Sequence, residues 1–380
     1  MEIKNYWVFL GLLSGLLFGI ATPFSKILLF NLNSFQLSGL LYLGSGIVII
    51  PKIIKKIINK YNKTNLENIN NSDNIKKVDK NISFQKNNIF KSFNKNILKI
   101  ALIVLFGGIL GPLFLMIGLS QTSASSTAIW LNMELVATAI LGIILFKDHL
   151  DKYSFFGLLF TFIAGMVVSW GVGFGNFYSV IFIVLACFSW GVDNQLTSIV
   201  DGYSPEMITF IKGIFGGGVN FTIGILIAGQ FIPLNLFLYG IILGIISYGL
   251  SIVLFVSSAQ NLGATRSQIL FSTAPFWGIS FSILLIGEPL TLNLIVATLF
   301  LIAGIIITNN LVHKHKHHHA SIEHIHLHSH DDNHHQHYHS SIDEIELNKD
   351  KSKKHIHNHI HEEKEHNHKH FPDLHHKHNH

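Results

Sequence analysis

The stretch QTSASSTAIWLNMELVATAILGIILFKDHL, residues 121–150, recurs as QNLGATRSQILFSTAPFWGISFSILLIGEPL at residues 260–290. Gln121 falls on Gln260, Ala124 on Gly263, Asp148 on Glu288 and Leu150 on Leu290, with one residue of slippage. In each copy a turn of small residues leads into about 20 apolar residues, the length that crosses a bilayer as a helix. An acidic residue closes each run. A hydrophobic unit written twice is the sequence mark of a transporter built from repeats.

Working outward from that unit, apolar runs predict ten spans. They lie at roughly 7–29, 35–54, 97–119, 124–146, 153–172, 177–199, 205–228, 235–257, 266–286 and 290–312. The runs are continuous rather than alternating, which implies helices and not barrel strands. Composition agrees: only 13% of the 380 residues are charged, against roughly 25% in a soluble domain, and mean hydropathy is +0.41. The N-terminal apolar run is too long for a cleavable signal peptide and reads as a retained first span. The single cysteine, Cys187, excludes an intrachain disulfide and a multi-cysteine metal site.

The formal charge of +5 is segregated. With the N-terminus inside, the cytosolic face holds Lys4, the lysines between Lys52 and Lys99, Lys147, Lys152 and Arg266, while the outer loops near 30–35, 119–124, 173–177, 229–235 and 287–290 hold no Lys or Arg. That asymmetry predicts a cytoplasmic-membrane protein with both termini in the cytoplasm. It also assigns the basic balance to the membrane flanks and not to a nucleic-acid partner.

The expected fold is therefore all-α and integral to the membrane: ten transmembrane helices as two inverted five-helix repeats, followed by a disordered His-rich tail. The first repeat runs through residues 1–150, its fifth span ending near 172, and the second occupies 173–312. Five spans per repeat turn the second copy upside down. The repeat starts are alike too, Gly15–Leu29 (GLLFGIATPFSKILL) resembling Cys187–Asp201 (CFSWGVDNQLTSIVD). Their larger offset is explained by the segment 59–96, rich in Asn, Lys and Ile, expected to be a flexible cytosolic insert.

Four charges fall inside spans: Lys26, Glu134, Asp193 and Lys212. Each costs at least about 2.5–3.5 kcal/mol at the bilayer centre, so such residues face a polar interior and mark transport pathways or static ion pairs. Glu134 or Asp193 is the candidate coupling site, with the lysines either orienting an anionic group or pairing with the acids. Asn132 beside Glu134, and Asn194 and Gln195 after Asp193, add polar groups to the same candidate site; Asp193–Gln195 covers most of a helix circumference, so part of it must face protein or water. Pro23 and Pro275 free backbone carbonyls. Gly111 and Pro112, with neighbouring Gly107 and Gly108 and the cluster Gly213–Gly218, loosen the backbone or let helices approach closely. Asp148 and Glu288 are expected to act as end-caps or gates. His149 reads as an interfacial residue. No phosphate loop, nucleophile–base constellation or zincin motif is present, so no enzyme is expected, and no cofactor is required.

Beyond Val312 lie all but one of the 25 histidines. The tail opens His313, His315, His317, His318, His319 and continues His324, His326, His328, His330, His334, His335, His337, His339. Alternating His-x-His can chelate Zn²⁺, Ni²⁺ or Co²⁺ at neutral pH, and imidazole titrates near 6.5, which allows pH sensing. The tail is expected to be disordered without metal.

With these residues in place, the chain resembles the EamA family of drug/metabolite transporters, and within it a subgroup with a long His-rich C-terminal tail. The resemblance runs from about Trp7 to Val312. It is carried by FGIATPFSK (18–26), LLYLGSG (40–46), FGGILGP (106–112), LNMELVATAILG (131–142), DNQLT (193–197), IKG (211–213), YGLSIVLF (248–255), FSTAPF (271–276) and GEPL (287–290). It implies a secondary carrier with a central cavity between the repeats, taking a small metabolite or drug-like solute by alternating access. The first copy departs from the pattern by having Glu134–Leu135 where Ala274–Pro275 keeps the proline. The alternative is a divalent-metal transporter, or a membrane protein that senses or stores metal through its tail. Expected partners are a small-molecule substrate, the lipid bilayer and divalent metal ions; the assembly considered is a homodimer.

Overall fold

A computed structural model describes residues 2–70, 96–146, 152–170, 177–198, 205–262 and 270–309, positions 200 and 203, and four strands between 315 and 368. The described chain up to Asn309 is helical. The first span is two helices, α1 (Glu2–Gly19) and α2 (Ala21–Leu28). Helix α3 (Ser34–Asn70) and α4 (Asn96–Gln121) follow. The duplicated unit is broken into α5 (Ala124–Trp130) and α6 (Met133–Phe146). Then come α7 (Lys152–Ser169), α8 (Phe177–Ser198), α9 (Glu206–Ala228), α10 (Leu234–Ser258), α11 (Ala274–Ile286) and α12 (Leu292–Asn309). Seven stretches are long and apolar enough to cross a membrane, and three shorter apolar helices accompany them at Phe155–Ser169, Ala274–Ile286 and Leu292–Ile307. The exterior is apolar and the interior partly polar: Leu226 and Leu284 are each 75% exposed, while Asp193 is 3% and Asn220 0% exposed. That is the distribution of a protein dissolved in lipid rather than water.

Helix pairing follows the duplication. Helix α4 packs on α8, and the equivalent second-half helix α10 packs on α1; α6 packs on α8, and its equivalent α11 on α1. Two further contacts join equivalents directly, α3 with α9 and α7 with α12, and α5 of the first copy packs on α11 of the second. Contacts that exchange partners in this way are what a pseudo-two-fold axis between two copies requires.

The helices are also distorted at matching places. A π-helical turn at Val104–Leu110 in α4 recurs at Gly244–Leu250 in α10. Two others, at Lys212–Gly216 and Ser282–Ile286, lack such a match. Such bulges cost helix geometry and concentrate at functional places. Glycines allow the closest crossing: a Cβ on Gly213 would fall within 2.8 Å of the backbone of Gly46 and Tyr42, so α3 and α9 meet along their main chains.

Two expectations are corrected. The insert expected to be flexible from 59 begins as helix, because α3 continues to Asn70. Residues 59–70 contain no Gly or Pro, so nothing in them breaks the helix where the apolar run ends. The tail, expected to be disordered, contains strands β1 (His315–His319), β2 (Ile322–His328), β3 (His355–His361) and β4 (Lys364–His368). Antiparallel pairing joins β1 to β4 and β2 to β3. The physical reason is the period of two: alternation of the His-x-His kind is the strand's own repeat. Lys147, Asp148, His149, Arg266, His313, His330, His334, His335, His337 and His339 lie outside the described residues.

Candidate functional site

Both copies of the duplicated unit lose their helix at the same point. Leu131–Asn132 and Ser272–Thr273 are turns between helical segments. Backbone bonds there shorten to i→i+3: the Glu134 N–H donates to Leu131 O at 3.1 Å, and the Phe276 N–H to Thr273 O at 3.1 Å. A polar side chain satisfies the loosened carbonyls in each copy. The Asn132 amide donates to Ala128 O and Ile129 O at 3.2 and 3.3 Å, and the Thr273 hydroxyl donates to Leu270 O at 2.7 Å. Pro275 begins the segment after the second break, where its missing N–H is harmless. Pro23 sits three residues after the interruption at Ile20 that separates α1 from α2.

The three interruptions face one cavity of about 100 Å³. Phe18, Gly19 and Thr22 line it from the first span, Ala128, Leu131, Asn132, Glu134 and Leu135 from the first copy, and Phe271, Ser272, Ala274 and Pro275 from the second. The Phe18 and Phe271 rings lie 5.3 Å apart, and Phe18 continues through Tyr248 to Tyr42 at 5.7 and 5.6 Å. The Trp190 indole N–H ends this aromatic ridge on the Tyr42 hydroxyl at 3.1 Å and on Gly107 O at 3.3 Å. Gly111 makes room for that indole: a Cβ there would lie 2.6 Å from Nε1. Pro112 opens the α-helical turn that follows the π-turn of α4.

The intramembrane charges divide into separate arrangements. Lys212 Nζ meets Asp193 Oδ2 at 2.7 Å, with side-chain exposures of 19% and 4%. The Thr197 hydroxyl donates to the other Asp193 oxygen at 3.2 Å. Gly107 creates the space for this carboxylate, since a Cβ at 107 would collide with it. Among the described residues no lysine lies within ion-pair distance of Glu134; its Oε1 accepts from the Asn194 amide at 2.8 Å. The Gln195 amide donates to Thr138 O at 2.9 Å, tying α8 to α6.

Among the described residues Lys26 has no acid within ion-pair distance, although Glu288 acts on it electrostatically. Its Nζ donates to Leu119 O and Ser120 O at 2.8 and 3.1 Å, closing the C-terminal end of α4. Glu288 closes the next helix start: its two oxygens accept from the Ala124 and Ser125 N–H groups at 2.6 and 2.9 Å. A cation on a helix C-terminus and an anion on an N-terminus both oppose the helix dipole. These two charges therefore pin the α4–α5 turn from both sides, and Glu288 does so from the other half of the chain.

Sequence reasoning brought Asp193 and Lys212 forward but left their partners open, and it placed Glu134 and Asn132 at the site. It missed Thr22, Ser272, Phe18 and Phe271 as cavity walls. The signal available for Ser272 was its position opposite Asn132 in the duplication. Among the described residues there is no group of three or more His, Cys, Asp or Glu that could hold a metal ion.

The model of the EamA-like transporter family matches residues 5–170 and again 177–310. An uncharacterized transporter of Methanothermobacter thermautotrophicus (strain Delta H) is 22% identical over 323 residues, covering 80% of this chain and 87% of that protein. A protein of known crystal structure aligns with a TM-score of 0.51 and 12% identity, over 81% of this chain and 96% of the other. That likeness concerns the fold alone.

Proposed function

This chain belongs to the EamA-like transporter family, a family of membrane transporters and not of enzymes, and we propose that it is a secondary carrier moving a small metabolite through the Glu134 cavity by alternating access. In this reading the ten apolar helices form two inverted halves of five, with both termini in the cytoplasm. The supporting observation is that both copies of the duplicated unit break at the wall of one cavity, which Leu131 and Asn132 line from one break and Ser272 from the other. Interrupted helices at a repeat interface are where secondary carriers bind cargo. The buried Asp193–Lys212 pair beside it is the coupling candidate. The test is uptake by proteoliposomes incubated with a small-molecule cell extract, read by mass spectrometry. At least one solute accumulates only with protein, and Asp193→Asn lowers its accumulation at least tenfold. If no solute accumulates in a protein-dependent way, the carrier reading fails.

A second reading, metal handling, is supported for the tail and not for the cavity. The cavity offers one carboxylate, one side-chain amide and hydroxyls, a poor donor set for Zn²⁺, Ni²⁺ or Co²⁺, which favour imidazole and thiolate. In the tail, His324 is registered opposite His359, His326 opposite His357 and His328 opposite His355. Directly opposed residues have Cβ atoms about 4.5–5.5 Å apart, a span that one metal with bonds of about 2.0–2.1 Å to each imidazole can bridge. Zn²⁺ titration of the full chain beside a chain ending at Val312 tests this. Binding is lost with the tail while solute uptake stays. Loss of uptake on truncation would instead make the tail part of the transport cycle.

A further inference from the structure

The charge balance of the cavity names a class of cargo, and this inference rests on the carrier reading above. Of the four intramembrane charges, Lys212 and Asp193 neutralise each other at 2.7 Å, and Lys26 is held by two helix-end carbonyls beside the α4–α5 turn. Glu134 remains. Among the described residues its carboxylate has one hydrogen-bond partner, the neutral amide of Asn194 on one oxygen, and no lysine or arginine within ion-pair distance. The cavity wall therefore carries one acid with no cation of the protein's own.

The rest of the wall fits the same charge sign. Phe18 and Phe271 present aromatic rings, whose faces attract cations. Thr22, Asn132 and Ser272 supply neutral polar groups, and Leu131 and Leu135 an apolar surface. Nothing on the wall would receive a carboxylate or a phosphate: such a group would stand against Glu134, or would have to displace Asp193 from Lys212. With a neutral solute the carboxyl would have no counter-ion and would be held protonated instead, whereas a bound ammonium favours its charged form.

We propose that the cavity selects a monovalent organic cation, a primary ammonium on a small apolar or aromatic body, with Glu134 as its counter-ion and Phe18 and Phe271 beside it. The ammonium takes the role that a lysine would otherwise fill. Selectivity against anions comes from the uncompensated carboxylate, and selectivity against neutral isosteres from the charge alone.

Three probes of one shape separate these possibilities: benzylammonium, benzyl alcohol and benzoate. Binding to the purified full-length protein in nanodiscs is measured by titration calorimetry. Benzylammonium binds at least tenfold more tightly than benzyl alcohol, and benzoate more weakly than either. Glu134→Gln, which keeps shape and removes charge, abolishes the preference; Glu134→Asp, which keeps charge, retains part of it. Lys52→Ala, at an exposed ion pair with Glu206, leaves it unchanged and controls for handling of variants. Equal or tighter binding of benzoate, or a preference that survives in Glu134→Gln, overturns the inference. The carrier reading has its own separate result, protein-dependent uptake from an extract, so a carrier of anions or neutral solutes would pass that test and fail this one.

Discussion

Replacing Lys212 by methionine leaves Asp193 buried without its cation, and the geometry sets the scale of the effect. At 2.7 Å, with an effective dielectric constant near 20, the gross attraction is about 6 kcal/mol. Desolvation of both groups offsets much of that. An exposed pair would contribute about 0–1 kcal/mol, but the Asp193 side chain is only 4% exposed, which places it with buried pairs. Removing one partner of such a pair costs about 3–5 kcal/mol, while replacing both is far milder. The expected outcome is a loss of about 3–5 kcal/mol for Lys212→Met and a clear loss for Asp193→Asn. The double variant should be more stable than the sum of the single losses predicts, by at least about 2 kcal/mol on the same grounds. The assay is reversible unfolding in mixed SDS micelles, followed by circular dichroism, as a double-mutant cycle. Additivity within about 0.5 kcal/mol, as for independent sites, would refute the reasoning and show that water screens the pair.

Three further substitutions probe the same architecture. Gly107→Ala puts a methyl group into the Asp193 carboxylate, so a loss of about 1–3 kcal/mol, typical of overpacking, is expected in the same unfolding assay. That loss should shrink in the Lys212→Met background, where the carboxylate is no longer anchored. Glu288→Ala removes the acceptor of the Ala124 and Ser125 N–H groups and should cost about 0.5–2 kcal/mol, as lost helix caps do, with Glu288→Gln in between. Lys52→Ala breaks an ion pair whose lysine side chain is 57% exposed, so its effect should stay within about 1 kcal/mol.

Much of the fold was legible because the bilayer imposes one length and one composition on each span. The duplication was legible because Gln121–Leu150 and Gln260–Leu290 still align, and helix breaks, π-turns and partner exchange between α1 and α8 follow from it. The charge partners were not. Asp193 and Lys212 lie on neighbouring helices, yet four buried charges allow several pairings, and only packing around Gly107 selects this one. The contact from Glu288 to Ala124 spans 164 residues and exists only once the two halves meet. Phe18 and Phe271 gave no signal because an aromatic in a span looks the same toward lipid as toward a cavity. The tail misled for a different reason: low apolar content argued for disorder, while its period of two carried the strand pattern.

The most direct test of the account is side-specific labelling of the cavity. Cys187 is the only cysteine and donates to Trp130 O and Leu131 O at 3.6 and 3.7 Å, so Cys187→Ser keeps a donor and gives a background without reactive thiols. In that background Ser272→Cys places a thiol on the cavity wall. A membrane-impermeant maleimide is then applied to one face or the other of sealed vesicles. The account predicts labelling from both faces, with a transported solute slowing both. Labelling from one face only, unchanged by any transported solute, would contradict it.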